Sequence, residues 1–286
     1  MAARPSTPPD TAADTKARPK PTLLAFHGSG SNATIHSVQL ARLVRVIKPY
    51  FDIESVEAPF PSPAGPGILP FFEGCGPYKR WLPPTEKISL EAMRAGSSTA
   101  TMSPEVEAVV GSAVARVRKA GGDVVGLIGF SQGTKVVAGL LRGWEIGREL
   151  AVARRGGEQE GEGDEYDQSP LPNPHFGIQI CPSYPPPLVP ASVLSALDSS
   201  TQLSPEQKTA LLERKIKIPT FHVIGSNDEW IWAGKSMVGN HFEVGEGMSV
   251  AQEWDIGHHY PVAPEDSEKI GEWMREVMRK VEEEGR

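Results

Sequence analysis

Read for hydrophobic spacing, the chain alternates short apolar runs with longer stretches of helical period. Thr22–Phe26 (TLLAF) is an apolar run that stops abruptly at HGSGSN. From Asn32 to Lys48, Ile35, Leu40, Leu43, Val44 and Ile47 recur at helical spacing, which predicts a helix. Asp52–Ala58 reads as a second strand. Ser103-Pro104 is a helix start, a hydroxyl cap followed by proline at the first helical position. Val106, Val109, Val110, Ala113 and Val117 give that helix its apolar face, and Gly121-Gly122 stops it. DVVGLIGF, ending at Phe130, is uniformly apolar, as in a strand buried on both faces of a parallel sheet.

Beyond it, Val136, Val137, Leu140, Leu141 and Trp144 return to helical period. HFGIQI and IPTFHVIG read as two further strands, and Ser204–Gln207 (SPEQ) as a capping box opening a helix between them. Ile270, Trp273, Met274, Val277 and Val281 form one face of a last helix. Strands and helices alternating at this length predict an α/β fold, a doubly wound, mostly parallel sheet with helices on both faces.

Residues 1–20 are rich in Pro, Thr and Ala without hydrophobic period, which predicts a disordered tail before a single domain over 21–286. Arg154–Pro174 is charged, Gly-rich and poor in apolar residues, a flexible acidic insertion. The loop from Pro59 to Pro84 is proline- and aromatic-rich and too long to be a mere connection.

Composition changes this picture little. Of 286 residues, 39% are hydrophobic and 23% charged, enough for a sizeable core. The net charge of −7 argues against a nucleic-acid or anionic-membrane partner, which would call for a basic face. No apolar run approaches the roughly 20 residues that span a bilayer, and the N-terminus lacks a secretory apolar core. Two cysteines, Cys75 and Cys181, are too few for a disulfide framework and suggest packing, so a reduced, cytoplasmic setting is expected.

The chemistry centres on Gly129-Phe130-Ser131-Gln132-Gly133, a G-x-S-x-G pattern between a buried strand and an amphipathic helix. The pattern alone is common. Its placement at a strand-to-helix corner is what makes Ser131 a candidate nucleophile. Such a hydroxyl needs a base and an orienting carboxylate, and the chain order in this architecture is Ser, acid, His. Asp228 follows a predicted strand end, and His258 and His259 precede the last helix. Asp255 is the rival acid, though close in sequence to the histidines. His258 and His259 compete on periodicity alone. His27 reads as a structural histidine fixing the HGSG loop, and His222 as a core residue. The amides of Ser29 and Gln132 are the expected oxyanion donors.

LLAFHGSGSN, FEGCGPYKRW, GFSQGTKVVAGLL, HVIGSNDEW and GHHYP, taken together and in this order, resemble the fungal FSH-type serine hydrolases, especially the LovG-like branch of polyketide gene clusters. The resemblance runs from about Thr22 to the last helix and implies an α/β-hydrolase fold. It also implies Ser131 as nucleophile, Asp228 as acid and His258 as base. The family often carries G-G-H-x-x-P; here Ile256 replaces the first glycine while Gly257, His258 and Pro261 keep the spacing.

The function expected is cleavage of an acyl thioester or ester, with no cofactor and no metal. The partner would be an acyl chain borne by the carrier domain of a polyketide synthase. A carboxylesterase without a carrier and a non-catalytic hydrolase-like binder are the alternatives. Phe72, Tyr78 and Trp81, with Phe71, would line an apolar acyl pocket, or else pin the long loop as a satellite cluster. Lys79 and Arg80 beside them would attract an acidic carrier, or else be solvated charges.

Overall fold

The structure, a computed structural model, describes residues 19–86, 89–156 and 169–285. The first half of the chain runs β1 (Thr22–Phe26), α1 (Ala33–Gln39), α2 (Ala41–Ile47), β2 (Asp52–Val56), β3 (Phe60–Pro61), β4 (Lys79–Arg80), α3 (Leu90–Ala95), β5 (Thr101–Met102), α4 (Pro104–Lys119) and β6 (Val124–Phe130). It continues through α5 (Gly133–Arg154), β7 (Phe176–Ile180), β8 (Val189–Pro190), α6 (Ala191–Ser199), α7 (Pro205–Glu213), β9 (Thr220–Gly225), α8 (Ile231–His241), β10 (Val250–Trp254) and α9 (Pro264–Glu283).

Among the described residues, six strands form one sheet in the order β10-β9-β7-β6-β1-β2. Every pairing in it is parallel. The expected doubly wound α/β architecture is the one observed.

Alternation along β1 explains the layers. Leu24 and Phe26 point to one face, where Val106, Val110 and Ala113 of α4 and Val136, Val137 and Leu140 of α5 cover them. Leu23 and Ala25 point to the other, against Leu43 and Ile47 of α2 and Ile270 and Met274 of α9. Each Leu, Ile, Val, Phe or Met among these, fully buried, contributes about 1.5–3 kcal/mol, so neither layer is dispensable. Where side chains supply local stops and starts, sequence and structure coincide. Ser103 Oγ accepts the Val106 amide, and the capping box at Ser204 is complete in both directions.

The differences have physical reasons. The helix expected over Asn32–Lys48 is two pieces joined at Leu40. Leu40 N still donates to His36 O and Val44 N to Leu40 O, so the hydrogen-bond ladder runs through the joint. The strand β10 was not expected, because it is an edge strand whose alternate residues are only half-buried. The tail expected over 1–20 lies outside the described residues up to 18, as do residues 157–168 of the expected insertion. The flanks of that insertion are ordered: Arg154 ends α5, Pro172 and Pro174 are buried, and Leu171 packs on the core.

Candidate active site

Strand β6 ends at Phe130 and α5 begins at Gly133, which leaves two residues to reverse direction. Ser131 takes the strain with φ of 48°, a left-handed conformation that costs a non-glycine residue about 1–3 kcal/mol. Its amide donates to Ile180 O at 3.1 Å, and its carbonyl accepts the Thr134 hydroxyl at 2.6 Å. The flanking glycines make the turn fit. A Cβ on Gly133 would stand 2.2 Å from Phe26 O, and one on Gly129 would stand 2.8 Å from Thr134 N.

Asp228 and His258 reach this corner from the carboxyl ends of β9 and β10, the edge where open α/β sheets bind ligands. His258 Nε2 lies 2.9 Å from Ser131 Oγ, and Nδ1 lies 2.7 Å from Asp228 Oδ2. With a carboxylate on Nδ1, the hydrogen-bond network assigns the proton there and leaves Nε2 to accept from the serine hydroxyl. Asp228 Oδ1 accepts the Trp230 amide at 2.8 Å. Burial alone would raise the Asp228 carboxyl. The hydrogen bond and charge of His258, then the Trp230 amide and the Cys181 thiol, outweigh it and hold the group below the ordinary carboxylate range. The acid therefore stays ionised through the neutral range.

The rivals face elsewhere. Asp255 is exposed and accepts from Asn227 Nδ2 at 2.6 Å. His259 spends both ring nitrogens on its own turn, Nδ1 with Tyr260 O at 2.8 Å and Nε2 with Gly257 N at 3.3 Å. A tilted ring contact supports the imidazole of His258 instead: its centroid is 5.2 Å from that of Phe130, at 48° between the ring planes, and Phe130 in turn stacks on Tyr260. Asp228→Asn is expected to lower kcat by about 10⁴ with little change in KM, because an amide favours the wrong imidazole tautomer. Steady-state kinetics with a small ester check this, and an inert variant would return attention to Asp255.

The loop after β1 is built to present amides. His27 is fully buried; its Nδ1 pairs with Gly28 O at 2.7 Å and its Nε2 accepts the Ala58 amide at 3.1 Å. Desolvation pushes His27 down to about 4, so it is a neutral brace. Ser31 and Gly30 then pair with Lys79 of β4, through Lys79 N to Ser31 O at 2.7 Å and Gly30 N to Lys79 O at 2.8 Å. Among the described residues, the amides of Ser29 and Gln132 donate to no protein acceptor. Both residues line one cavity with Ser131 and His258.

That cavity, about 180 Å³, has apolar walls from Ile68, Met93, Phe130, Tyr184, Trp230 and Ala233. Phe72, Tyr78 and Trp81, expected here, are not among its lining residues. Trp81 is 1% exposed, packs edge-on against Phe26, and donates its indole N–H to His27 O at 2.7 Å. Its own amide donates to Gln132 Oε1 at 2.8 Å, so it joins the two halves of the amide pair from behind. The Tyr78 hydroxyl donates to Phe72 O at 2.8 Å, which fastens the long loop to itself. These aromatics hold the loop; the pocket uses others.

One grouping of potential metal ligands occurs among the described residues: Cys181, Asp228 and His258, with atoms within 4.8 Å of one another. It is a poor donor set. Both nitrogens of His258 are engaged, and burial, with Asp228 next to it, pushes the Cys181 thiol up and keeps it protonated. The thiol points to Gly257 O at 3.6 Å and His259 O at 3.7 Å, tying the histidine turn to β7.

A strained serine at a strand-to-helix corner, with imidazole and carboxylate in series and two unused amides beside it, on a parallel sheet, defines a serine hydrolase of the α/β-hydrolase fold. The chain belongs to the FSH1 serine hydrolase family, whose profile, "Serine hydrolase (FSH1)", matches residues 17–270.

Among its relatives, esterase GME11355 of Pestalotiopsis microspora is 27% identical over 281 residues, covering 94% of this chain and 95% of its own. A thioesterase of Aspergillus terreus named for dihydromonacolin L and the lovastatin nonaketide synthase is 28% identical over 245 residues, covering 85% and 87%. Of solved structures, acyl-protein thioesterase 2 of Zea mays is 17% identical, with a TM-score of 0.47 over 92% of this chain and 95% of that one. Among the described residues, no helix is long and apolar enough to cross a membrane.

Proposed function

We propose that this enzyme hydrolyses acyl thioesters or esters through an acyl-enzyme on Ser131, and that it releases a polyketide or related acyl chain from a carrier domain. The observation that carries the reading is the continuous contact from Ser131 Oγ through His258 to Asp228, opening on an apolar cavity. In the first half-reaction, His258 Nε2 takes the serine proton as Oγ bonds to the acyl carbon. The oxyanion settles against the amides of Ser29 and Gln132. Collapse breaks the bond to the thiol or alcohol, which leaves with the proton from His258. Water then repeats the sequence with His258 again as base, and the free acid departs.

Support for a carrier comes from the relative named for a polyketide synthase and from the basic pair on β4. Lys79 and Arg80 are half-buried and in no ion pair among the described residues. Arg80 donates from Nη2 to Pro83 O at 3.1 Å. On a chain of net charge −7, a local cationic spot beside the amide-bearing loop would offset repulsion of an acidic carrier.

The test uses one acyl group presented on a carrier protein and on a small neutral thiol. Lys79→Glu with Arg80→Glu is expected to lower kcat/KM on the order of tenfold for the carrier-borne form alone, with a shallower salt dependence. Equal losses on both substrates would assign the pair to loop folding and remove this support for a carrier.

A further inference from the structure

We propose that Lys135 is a positioning residue for acyl-chain recognition: its ammonium clamps the 182–186 loop to the nucleophile helix and so sets the wall that the chain lies against. This rests on the reading of the cavity as the acyl site.

The loop leaves β7 at Cys181 and contributes Pro182, Ser183 and Tyr184 to the cavity. Its sequence, PSYPPPL, is short of backbone donors, since each proline lacks an N–H. The first turn of α5 meets this segment from both sides, Thr134 accepting from its backbone and Lys135 donating to two of its carbonyls. Thr134 Oγ1 accepts the Ser183 amide at 2.9 Å. Lys135 Nζ donates to Tyr184 O at 3.0 Å, to Pro186 O at 2.6 Å and to Ser98 Oγ at 3.4 Å. Three protons meet three acceptors, which is the capacity of an ammonium. The same nitrogen sits 4.3 Å from the centre of the Tyr184 ring.

Two observations set this apart from ordinary packing. Lys135 is fully buried and has no carboxylate within ion-pair distance among the described residues, so its nearest acceptors are the two loop carbonyls and Ser98 Oγ, with Glu86 acting from further off. The Tyr184 hydroxyl is buried without a partner, so the ring is not placed by its own polar end. The helix also comes close enough that a Cβ on Gly139 would lie 1.6 Å from Leu188 O. The loop is thus pressed on α5, and the cation decides how its cavity-facing turn lies.

Burial pulls Lys135 down to about 7, with Glu86 countering in part. The other charged or titratable groups around the clamp are Arg80, which acts on Tyr184, Arg142 of α5 itself, and His241 at the end of α8. Tyr184 is pushed up to about 12 and His241 down to about 4, so neither changes charge between pH 6 and 9. The sign follows: the three-donor cation is present below about 7 and is lost as pH rises past it.

The experiment compares hexanoyl and acetyl thioesters of one thiol. For the wild type, the ratio of kcat/KM, hexanoyl over acetyl, is expected to fall severalfold between pH 6 and 9, chiefly through KM. Any effect of pH on the bond-breaking machinery is common to both substrates and cancels in the ratio. Lys135→Met should lower the ratio about tenfold at pH 6, by leaving two carbonyls unpaired, and should flatten its pH dependence. If that variant fails to fold, the wild-type profile still decides. A ratio independent of pH in the wild type, or equal losses on both thioesters in a folded variant, would overturn the clamp as a recognition device. Failure of the acyl-site reading would look different: no hexanoyl preference at any pH, or no labelling of Ser131 by a fluorophosphonate.

Discussion

Ser131→Ala is expected to abolish turnover, with kcat down by roughly 10⁴–10⁶, while the melting temperature hardly moves. The hydroxyl makes its bond to His258 Nε2 at 2.9 Å and packs against no core cluster, so its loss removes chemistry and little else. The strained backbone is equally awkward for alanine at φ of 48°, so the corner itself is not relieved. Fluorophosphonate labelling should vanish with activity. A variant within tenfold of wild type would sink the nucleophile assignment.

His258→Ala should be as damaging as the serine change, because the hydroxyl loses its proton acceptor and the ionised Asp228 loses the partner that orients it. His259→Ala is expected to cost about tenfold at most. It removes two turn contacts, each contributing about 1 kcal/mol, and touches neither Ser131 nor Asp228. Parallel kinetics on the two variants check the choice. An exchange of the two phenotypes would make His259 the base and require the 255–260 turn to rearrange in solution.

The elements most legible in the sequence were those whose cause is local. The run VVGLIGF before Ser131 is buried at every position, which leaves no polar face to confuse its reading. Ser103 and Ser204 mark helix starts by side chains that bond within three residues. The edge strand β10 was harder. VAQEW alternates half-buried and exposed positions, and only tertiary packing shows that Val250 and Trp254 face the core.

Within the site, chain order and strand ends singled out Ser131, Asp228 and His258 as candidates, and the structure brings the three side chains into contact. The pocket walls were not legible. An aromatic in a long loop satisfies the same pattern whether it faces a cavity or the interior. Trp81 went inward because its indole N–H finds His27 O there. A better signal lay at the carboxyl ends of the strands: Phe130 ends β6, Tyr184 follows β7 and Trp230 follows β9, and all three line the cavity. Lys135 carried no signal at all, since one lysine in a helix reads as a solvated charge until the proline-rich loop is seen upon it.

The strand order has a consequence in time. Thr22 pairs with Val124, so β1 waits about a hundred residues for its inner neighbour, and His258 arrives only after β10. Such non-local pairing is slow and leaves apolar strands uncovered meanwhile. On the ribosome, the loop after β1 and then Ser131 therefore emerge well before His258 can reach them. Hydrolytic competence is among the last properties this chain acquires, and the half-made protein carries Ser131 without its hydrogen-bond partner His258.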